Sequence, residues 1–231
     1  MTARSSESVP VITVDGPGGA GKGTLSFHLA QVLDWHMLDS GALYRVTALA
    51  ALSNDAATDD ENEVAEVAAN LKVRFEPASQ GLTKVFLDEE DVSLDIRSEA
   101  CGVLASKVAS MQSVRQALLQ RQRSLARAPG LVADGRDMGT VVFPNADLKI
   151  YLTASAECRA ARRREQLLAQ GQSVSLARLL EGIEERDARD RNRSSSPLKP
   201  AEDALEIDCS ALTAAQVFDK ALSEARLRGL A

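Results

Sequence analysis

The amino-acid sequence predicts an α/β fold, a parallel sheet flanked by helices with a small α+β unit inserted into it. Three observations carry that expectation. Residues 11–14, Val-Ile-Thr-Val, form a β-branched run that passes through a glycine-rich segment into a helical pattern with Leu25, Leu29, Val32 and Leu33 in register. Strand-like runs recur at residues 131–133, 148–152 and 205–207 with helical patterns between them, and such alternation implies βαβ units and a sheet covered on both faces. One stretch, residues 58–108, breaks the alternation. With 231 residues the chain has room for a core over residues 9–231 that carries this insertion.

The insertion reads as one helix and a small antiparallel sheet. Thr58 with Glu61 has the spacing of a capping box, opening a helix through Val64, Val67 and Leu71. Strand-like runs follow at residues 73–76 and 82–87, joined by the turn-rich residues 77–81, and a third short run at residues 92–96 comes after the acidic turn of residues 88–91. Residues 113–125 place Val114, Ala117, Leu118, Arg121 and Leu125 along one face, an amphipathic helix leading back to the core.

Composition narrows the classes of function. An apolar fraction of 45% with 26% charged residues is that of an ordinary folded domain. No apolar stretch approaches the ~18 residues of a membrane span, and residues 1–8 hold no apolar export segment, so a cytoplasmic protein is expected. A net charge of −6 counts against a surface that coats nucleic acid, so any anion binding must be local. Cys101, Cys158 and Cys209 lie far apart with no C-x-x-C pair and read as buried small hydrophobes.

The glycine-rich segment carries the strongest chemistry. Gly16, Pro17, Gly18, Gly19, Ala20, Gly21, Lys22, Gly23 and Thr24 fit G-x-x-x-x-G-K between a strand and a helix. Glycines let the backbone turn its N–H groups inward as an anion nest, and the following helix adds the positive end of its dipole. Lys22, read as an exposed loop residue with no part in the core, supplies a mobile charge for the β and γ phosphates of a nucleotide. The residue after Lys22 is Gly23, where most such loops place the Ser or Thr that binds Mg²⁺, and Thr24 comes one place later. G-K-G-T after this lead-in resembles the nucleoside monophosphate kinases. GTPase and ABC readings fail for want of N-K-x-D and L-S-G-G-Q segments.

Polar residues gather at three other places. The run 131–133 ends in Asp134, Gly135, Arg136 and Asp137, and strand carboxyl ends are where open α/β sheets bind ligands. Asp134 has the position of a Walker B carboxylate for Mg²⁺, acting through water, although Asp-Gly is also a common turn pair. Asp39 or Ser40 caps a helix through Leu43, Val46 and Leu49, and Arg45 one turn into it can contact a second phosphate. Arg186, Arg189, Asp190 and Arg193 share one helix face, as do Arg159, Arg162 and Arg163. A solvated face of ion pairs is the bland reading of such runs. In an acidic chain, phosphate clamping by guanidinium forks explains so many arginines better. His28 and His36 read as structural.

Four motifs, G-P-G-G-A-G-K-G-T, L-D-S-G-A-L-Y-R, A-D-G-R-D-M-G-T-V-V-F-P and E-R-D-A-R-D-R-N-R-S, occur in this order, and together they resemble the bacterial cytidylate kinases over nearly the whole chain. The resemblance implies a P-loop kinase core, an enlarged monophosphate-binding insertion over residues 58–108, and a short lid over residues 157–172. It implies transfer of the γ-phosphoryl group of Mg²⁺-ATP to CMP or dCMP. It puts ATP on residues 16–24, the acceptor phosphate on Ser40, Arg45, Arg136 and Arg193, the ribose near Arg186 and Asp190, and the cytosine edge on Ser106, Arg115 and Asp137. Lys22, Arg136 and the lid residues Arg162 and Arg163 then neutralise the moving charge, although spacing alone does not say which lid arginine points inward. No nucleic-acid or membrane partner is expected, and the chain is expected to act as a monomer. A P-loop kinase for another small acceptor, such as a sugar acid or a shikimate-like alcohol, and a non-catalytic nucleotide-binding module are the alternatives.

Overall fold

The protein is described by a computed structural model covering residues 9–77, 83–169 and 171–231. Five parallel strands make the central sheet: β1 (Val11–Asp15), β2 (His36–Asp39), β6 (Leu131–Gly135), β7 (Leu148–Thr153) and β8 (Leu205–Asp208), in the order β2-β6-β1-β7-β8. All five residues of β1 are buried, because helices or packed turns cover both faces of the strand. The period of two divides it. Ile12 and Val14 pack with Leu25 and Leu29 of α1 (Lys22–Leu33) and with Val217, Ala221 and Leu222 of α8 (Ala214–Leu227). Val11 faces the other way, into a cluster with Leu131, Ala133, Met138 and Val142.

A second core lies beside this sheet. The helices α2 (Ser40–Ser53), α3 (Glu61–Ala69), α4 (Glu99–Val108) and α5 (Gln112–Arg123) bury Leu43, Val46, Val64, Val108, Val114 and Leu118 together with Val85 and Leu87 of a small antiparallel sheet. That sheet runs β3 (Val73–Pro77), β4 (Thr83–Leu87), β5 (Glu90–Asp91). The chain then returns through α6 (Ala156–Ala169) and α7 (Leu176–Asn192) to β8.

Several local expectations are corrected. The helix after residue 58 is capped by Asp60, whose carboxylate accepts from the N–H groups of Asn62 and Glu63 at 2.8 and 3.3 Å. Glu63 accepts from the N–H of Ala57 at 2.8 Å and not from that of Asp60, so the cap sits two residues later than Thr58 and is not a reciprocal box, while Glu61 accepts from the N–H of Ser113. The third strand of the small sheet is Glu90–Asp91, inside the expected acidic turn. Residues 92–96 are not a strand because the hydroxyl of Ser93 takes the N–H of Val85, after which Asp95–Arg97 tightens into a 3₁₀ turn. Most of the expected turn at residues 77–81, and residue 82 at the start of the next run, lie outside the described residues. The strand β2 and the helix α4 have no counterpart in the sequence reading. Arg193 falls at the C-cap of α7 rather than within the helix. Cys101 and Cys209 are buried, but Cys158 is only half-buried.

The topology decides where a ligand can sit. From β1 the chain crosses to β2 on one side, and from β6 it crosses over β1 to β7 on the other, so a crevice opens at the carboxyl ends around β1. Register brings the strand ends level: Asp39 pairs with Asp134, and Asp15 with Gly135. Among the described residues no helix is long and apolar enough to cross a membrane.

Candidate active site

The loop between β1 and α1 is shaped by glycines, three of them at positive φ. Gly16 has φ 145°, and a Cβ there would lie 2.1 Å from the carbonyl oxygen of Leu152 in the neighbouring strand. Gly21 caps α1 at φ 95°, leaving the first N–H groups of the helix without a side-chain partner and free for an anion.

Lys22 is not exposed, contrary to the sequence reading. It is buried, folding back so that Nζ donates to the carbonyl of Pro17 at 3.0 Å and stands 3.8 Å from Asp134 Oδ1. Burial and the nearby Arg136 lower its pKa to about 8, while Asp134 pulls it up. Burial in turn raises the Asp134 carboxyl to about 6 against the attraction of Lys22, with Asp39 adding repulsion. Two carboxylates thus flank the loop on adjacent strand ends. Among the described residues no group of three or more His, Cys, Asp or Glu side chains converges, so these residues form no closed cage for a metal. Asp134 and Asp39 suit a divalent ion completed by water and phosphate oxygens, which is how Mg²⁺ is usually held.

Arginines converge from four elements on the other side of the crevice. Arg136 donates from Nε to Asp190 at 3.0 Å, and a methyl group built on Gly18 would stand 3.4 Å from Arg136 and 3.7 Å from Arg186. The two guanidiniums therefore lie directly over the phosphate loop. Burial and the charge of Arg136 lower the pKa of Arg186 to about 10. Arg115 on α5 pairs with the buried Asp137, donates to the carbonyl of Ala109 at 3.0 Å and lies over the Tyr44 ring. Arg193 donates to Ser196 O at 2.6 Å and reaches Asp137 at 3.9 Å. Arg45 on α2 donates to Ile96 O at 2.6 Å, while Ser40 is the buried first residue of that helix. Buried polar atoms here without a hydrogen-bond partner among the described residues include Ser106 Oγ, Arg115 Nε, Arg186 Nε and Arg193 Nη2. Each such atom costs about 1–3 kcal/mol, a penalty that an incoming anion or polar base can remove.

All nine residues expected on the acceptor side line one cavity of about 50 Å³. A larger cleft of about 1270 Å³ is lined by Gly18, Gly19, Ala20, Gly21, Lys22, Gly23 and Thr24, while Gly16 and Pro17 form the root of the loop behind it. Arg45, Arg136 and Arg186 line both spaces, so the two adjoin. His28 is exposed, stacks edge-on against Phe27 and Phe218, and borders the cleft.

The arginines of α6 separate into three environments that spacing did not distinguish. Arg159 is buried, pairs in a fork with Asp187 at 3.0 and 2.6 Å, and donates to the carbonyl of Gly18 at 3.0 Å. It is a strut beneath the loop. Arg162 donates to Cys209 O at 2.7 Å, and the half-exposed Arg163 reaches Glu99 of α4 at 3.5 Å. Arg162 and Arg163 line the large cleft, as does Arg159. Replacing Arg159 by Ala strands the buried Asp187 with only the exposed Arg191 at 3.5 Å. A loss of about 3–5 kcal/mol is expected, read calorimetrically as a fall in Tm of roughly 6 °C or more. A Tm unchanged from wild type would contradict the strut. Sequence reasoning also missed Asp15, whose signal was a lone polar residue closing an apolar strand immediately before the first loop glycine.

The family described as Cytidylate kinase matches residues 12–227 of the chain. Among curated relatives, the cytidylate kinase of Sodalis glossinidius is 56% identical over 217 residues, covering 94% of this chain and 95% of that protein. The cytidylate kinase of Shewanella sediminis is 57% identical over 220 residues, covering 94% and 95%. That of Photobacterium profundum is 56% identical over 218 residues with the same coverage. A match over this length, on a chain whose loop and arginine pocket face each other across one crevice, places the protein in the cytidylate kinase family.

Proposed function

We propose that this chain transfers the γ-phosphoryl group of ATP to CMP or dCMP, giving ADP and CDP or dCDP, with the donor on residues 16–24 and the acceptor in the arginine pocket. The observation that supports it best is the set of unpartnered buried donors in a pocket that adjoins the loop through Arg45, Arg136 and Arg186. A non-catalytic nucleotide module has no need of that second anion pocket.

An oxygen of the acceptor phosphate attacks the γ phosphorus in line as the bond to the β–γ bridging oxygen breaks, and ADP leaves. Such a transfer asks the protein for position and for positive charge more than for covalent chemistry. In this reading the loop amides hold the β and γ phosphates, and Lys22 meets their charge. Ser40, Arg45, Arg136 and Arg193 grip the acceptor phosphate, while Arg186 and Asp190 face the ribose. Arg136 and Arg186, lying over Gly18, carry positive charge at the junction of donor and acceptor. Asp134, with Asp39 beside it, would hold Mg²⁺, which supplies charge neutralisation at the β and γ oxygens when bound.

A nucleotide is far larger than a cavity of about 50 Å³, so CMP entry widens the pocket and exchanges internal partners such as Arg115–Asp137 and Arg136–Asp190 for substrate contacts. Residues 58–108 serve as the monophosphate-binding insertion, and residues 157–172, with Arg162 and Arg163, close over ATP to keep water from the γ phosphate. This reading includes a monomer acting on nucleotides in the cytoplasm.

A coupled assay of ADP release over CMP, dCMP, UMP, a sugar acid and a shikimate-like alcohol tests the reading. Turnover is expected with CMP and dCMP, well above UMP. Turnover with an alcohol alone, or none with any acceptor, would overturn it.

A further inference from the structure

We infer that Asp15 is a positioning residue that fixes the acceptor-reading segment, Arg136 and Asp137, relative to the phosphate loop. The proposal rests on the reading of those two residues given above and adds a residue that holds them in place.

Asp15 is the last residue of β1, and Gly16 opens the loop directly after it. Its side chain shares the face of Val11, where a π-helical turn, Met138–Val142, packs against the strand. The turn has no side-chain cap of its own, for Asp137 at its N-terminal position makes no capping bond. Asp15 supplies the cap from across the sheet: Oδ1 accepts from the N–H of Met138 and Oδ2 from the N–H of Gly139, both at 2.8 Å. One carboxylate thereby holds two successive amides of the turn that begins immediately after Arg136 and Asp137. The root of the donor loop at Gly16 is held by the backbone ladders of β1 with β6 and β7, so the carboxylate ties the turn to a root that is already fixed.

The surroundings leave little room to shift. A Cβ on Gly139 would lie 2.8 Å from Thr13 Oγ1 and 3.1 Å from the Lys149 side chain, so the turn sits against the sheet with no space for even a methyl group. A buried carboxylate is expensive, and burial raises this one to about 7 despite its two amide donors. Fold stability alone would be served as well by an apolar residue under a differently capped turn. The carboxylate is the group that can take two parallel N–H donors at once and so set the angle at which Arg136 and Asp137 leave β6.

Asp15→Asn keeps the shape but turns an NH₂ group on one of the two amide donors. The test measures Tm, the Kd for ATP by calorimetry, and kcat and KM with CMP and with UMP. The expected result is an ATP Kd within about threefold of wild type, with kcat/KM for CMP and the CMP-to-UMP ratio each lowered about tenfold or more. A merely structural role would lower Tm and leave the ratio where it was, and that outcome overturns the proposal. A wild type that does not prefer CMP over UMP overturns the reading of the pocket and this inference with it. A wild type that does, beside a variant with an unchanged ratio, overturns the inference alone. Hydrogen exchange on the wild-type enzyme gives a reading that needs no variant. The amides of Met138 and Gly139 are expected to be protected without nucleotide, and exchange at free-peptide rates would contradict the anchor.

Discussion

Lys22→Ala is expected to lower kcat about 10³-fold, with the sheet and helices intact by circular dichroism. The side chain is buried, so the expectation does not rest on a harmless surface change. Its ammonium lies between the carbonyl of Pro17 and the carboxylate of Asp134, so it is held over the loop before any nucleotide arrives. Burial and Arg136 already weaken its hold on a proton, and the polyanion of ATP is the partner that restores it. Removing Lys22 takes a positive charge from the donor phosphates and leaves Asp134 unopposed beside them. Some loss of Tm is expected for that reason, and activity must be compared at a temperature where both proteins are folded. Turnover within tenfold of wild type would contradict the role.

Asp137→Asn is expected to have the second large effect, on base choice. Cytosine offers an amine donor at position 4 and acceptors at N3 and O2, which a carboxylate and a guanidinium satisfy together. Uracil would set its O4 against Asp137 and its N3–H against Arg115, leaving buried polar groups unpaired. In the structure Asp137 is buried between Arg115 and Arg193, with Ser106 Oγ unpartnered close by in the same pocket. Asn preserves the volume and replaces one acceptor with a donor suited to the uracil O4. The ratio of kcat/KM for CMP to that for UMP is expected to fall about 100-fold. Asn and Ala both remove the buried counter-charge of Arg115 and Arg193. Asn keeps one oxygen to accept from them, whereas Ala would leave a cavity and no acceptor, so Tm is measured beside the ratio. An unchanged ratio in the Asn variant would show that Asp137 does not read the base.

What was legible in the sequence follows from how local each feature is. The phosphate loop is contiguous, and its glycines answer to backbone needs that residues 11–24 express by themselves, so it could be read at once. Strands buried on both faces leave apolar runs, which made β1, β6 and β7 visible, while the edge strand β8 has only Ile207 buried and showed in the alternation of Leu205 and Ile207 with acidic residues. The cap of α3 was misplaced because T-x-x-E and D-x-x-E overlap at a two-residue offset, and only the packing of Glu61 against Ser113 separates them. The short β5 escaped because two acidic residues can pair with β4 as readily as they can turn. Side-chain environments were least legible. Arg159, Arg162 and Arg163 share a helix face, yet whether an arginine is a strut or faces the cleft depends on Asp187, Cys209 and Glu99 from distant elements. The burial of Lys22 depends likewise on Asp134 at the end of another strand.

The central claim is that donor and acceptor phosphates meet in one crevice, each in its own cradle. The most direct measurement uses a single molecule, adenosine joined to cytidine by five phosphates, as an inhibitor of steady-state turnover. The account predicts competition with ATP and equally with CMP, with a Ki far below the Kd of either substrate, because one ligand then occupies both the loop of residues 16–24 and the arginine pocket. Competition with ATP alone, with CMP still free to bind, would contradict it.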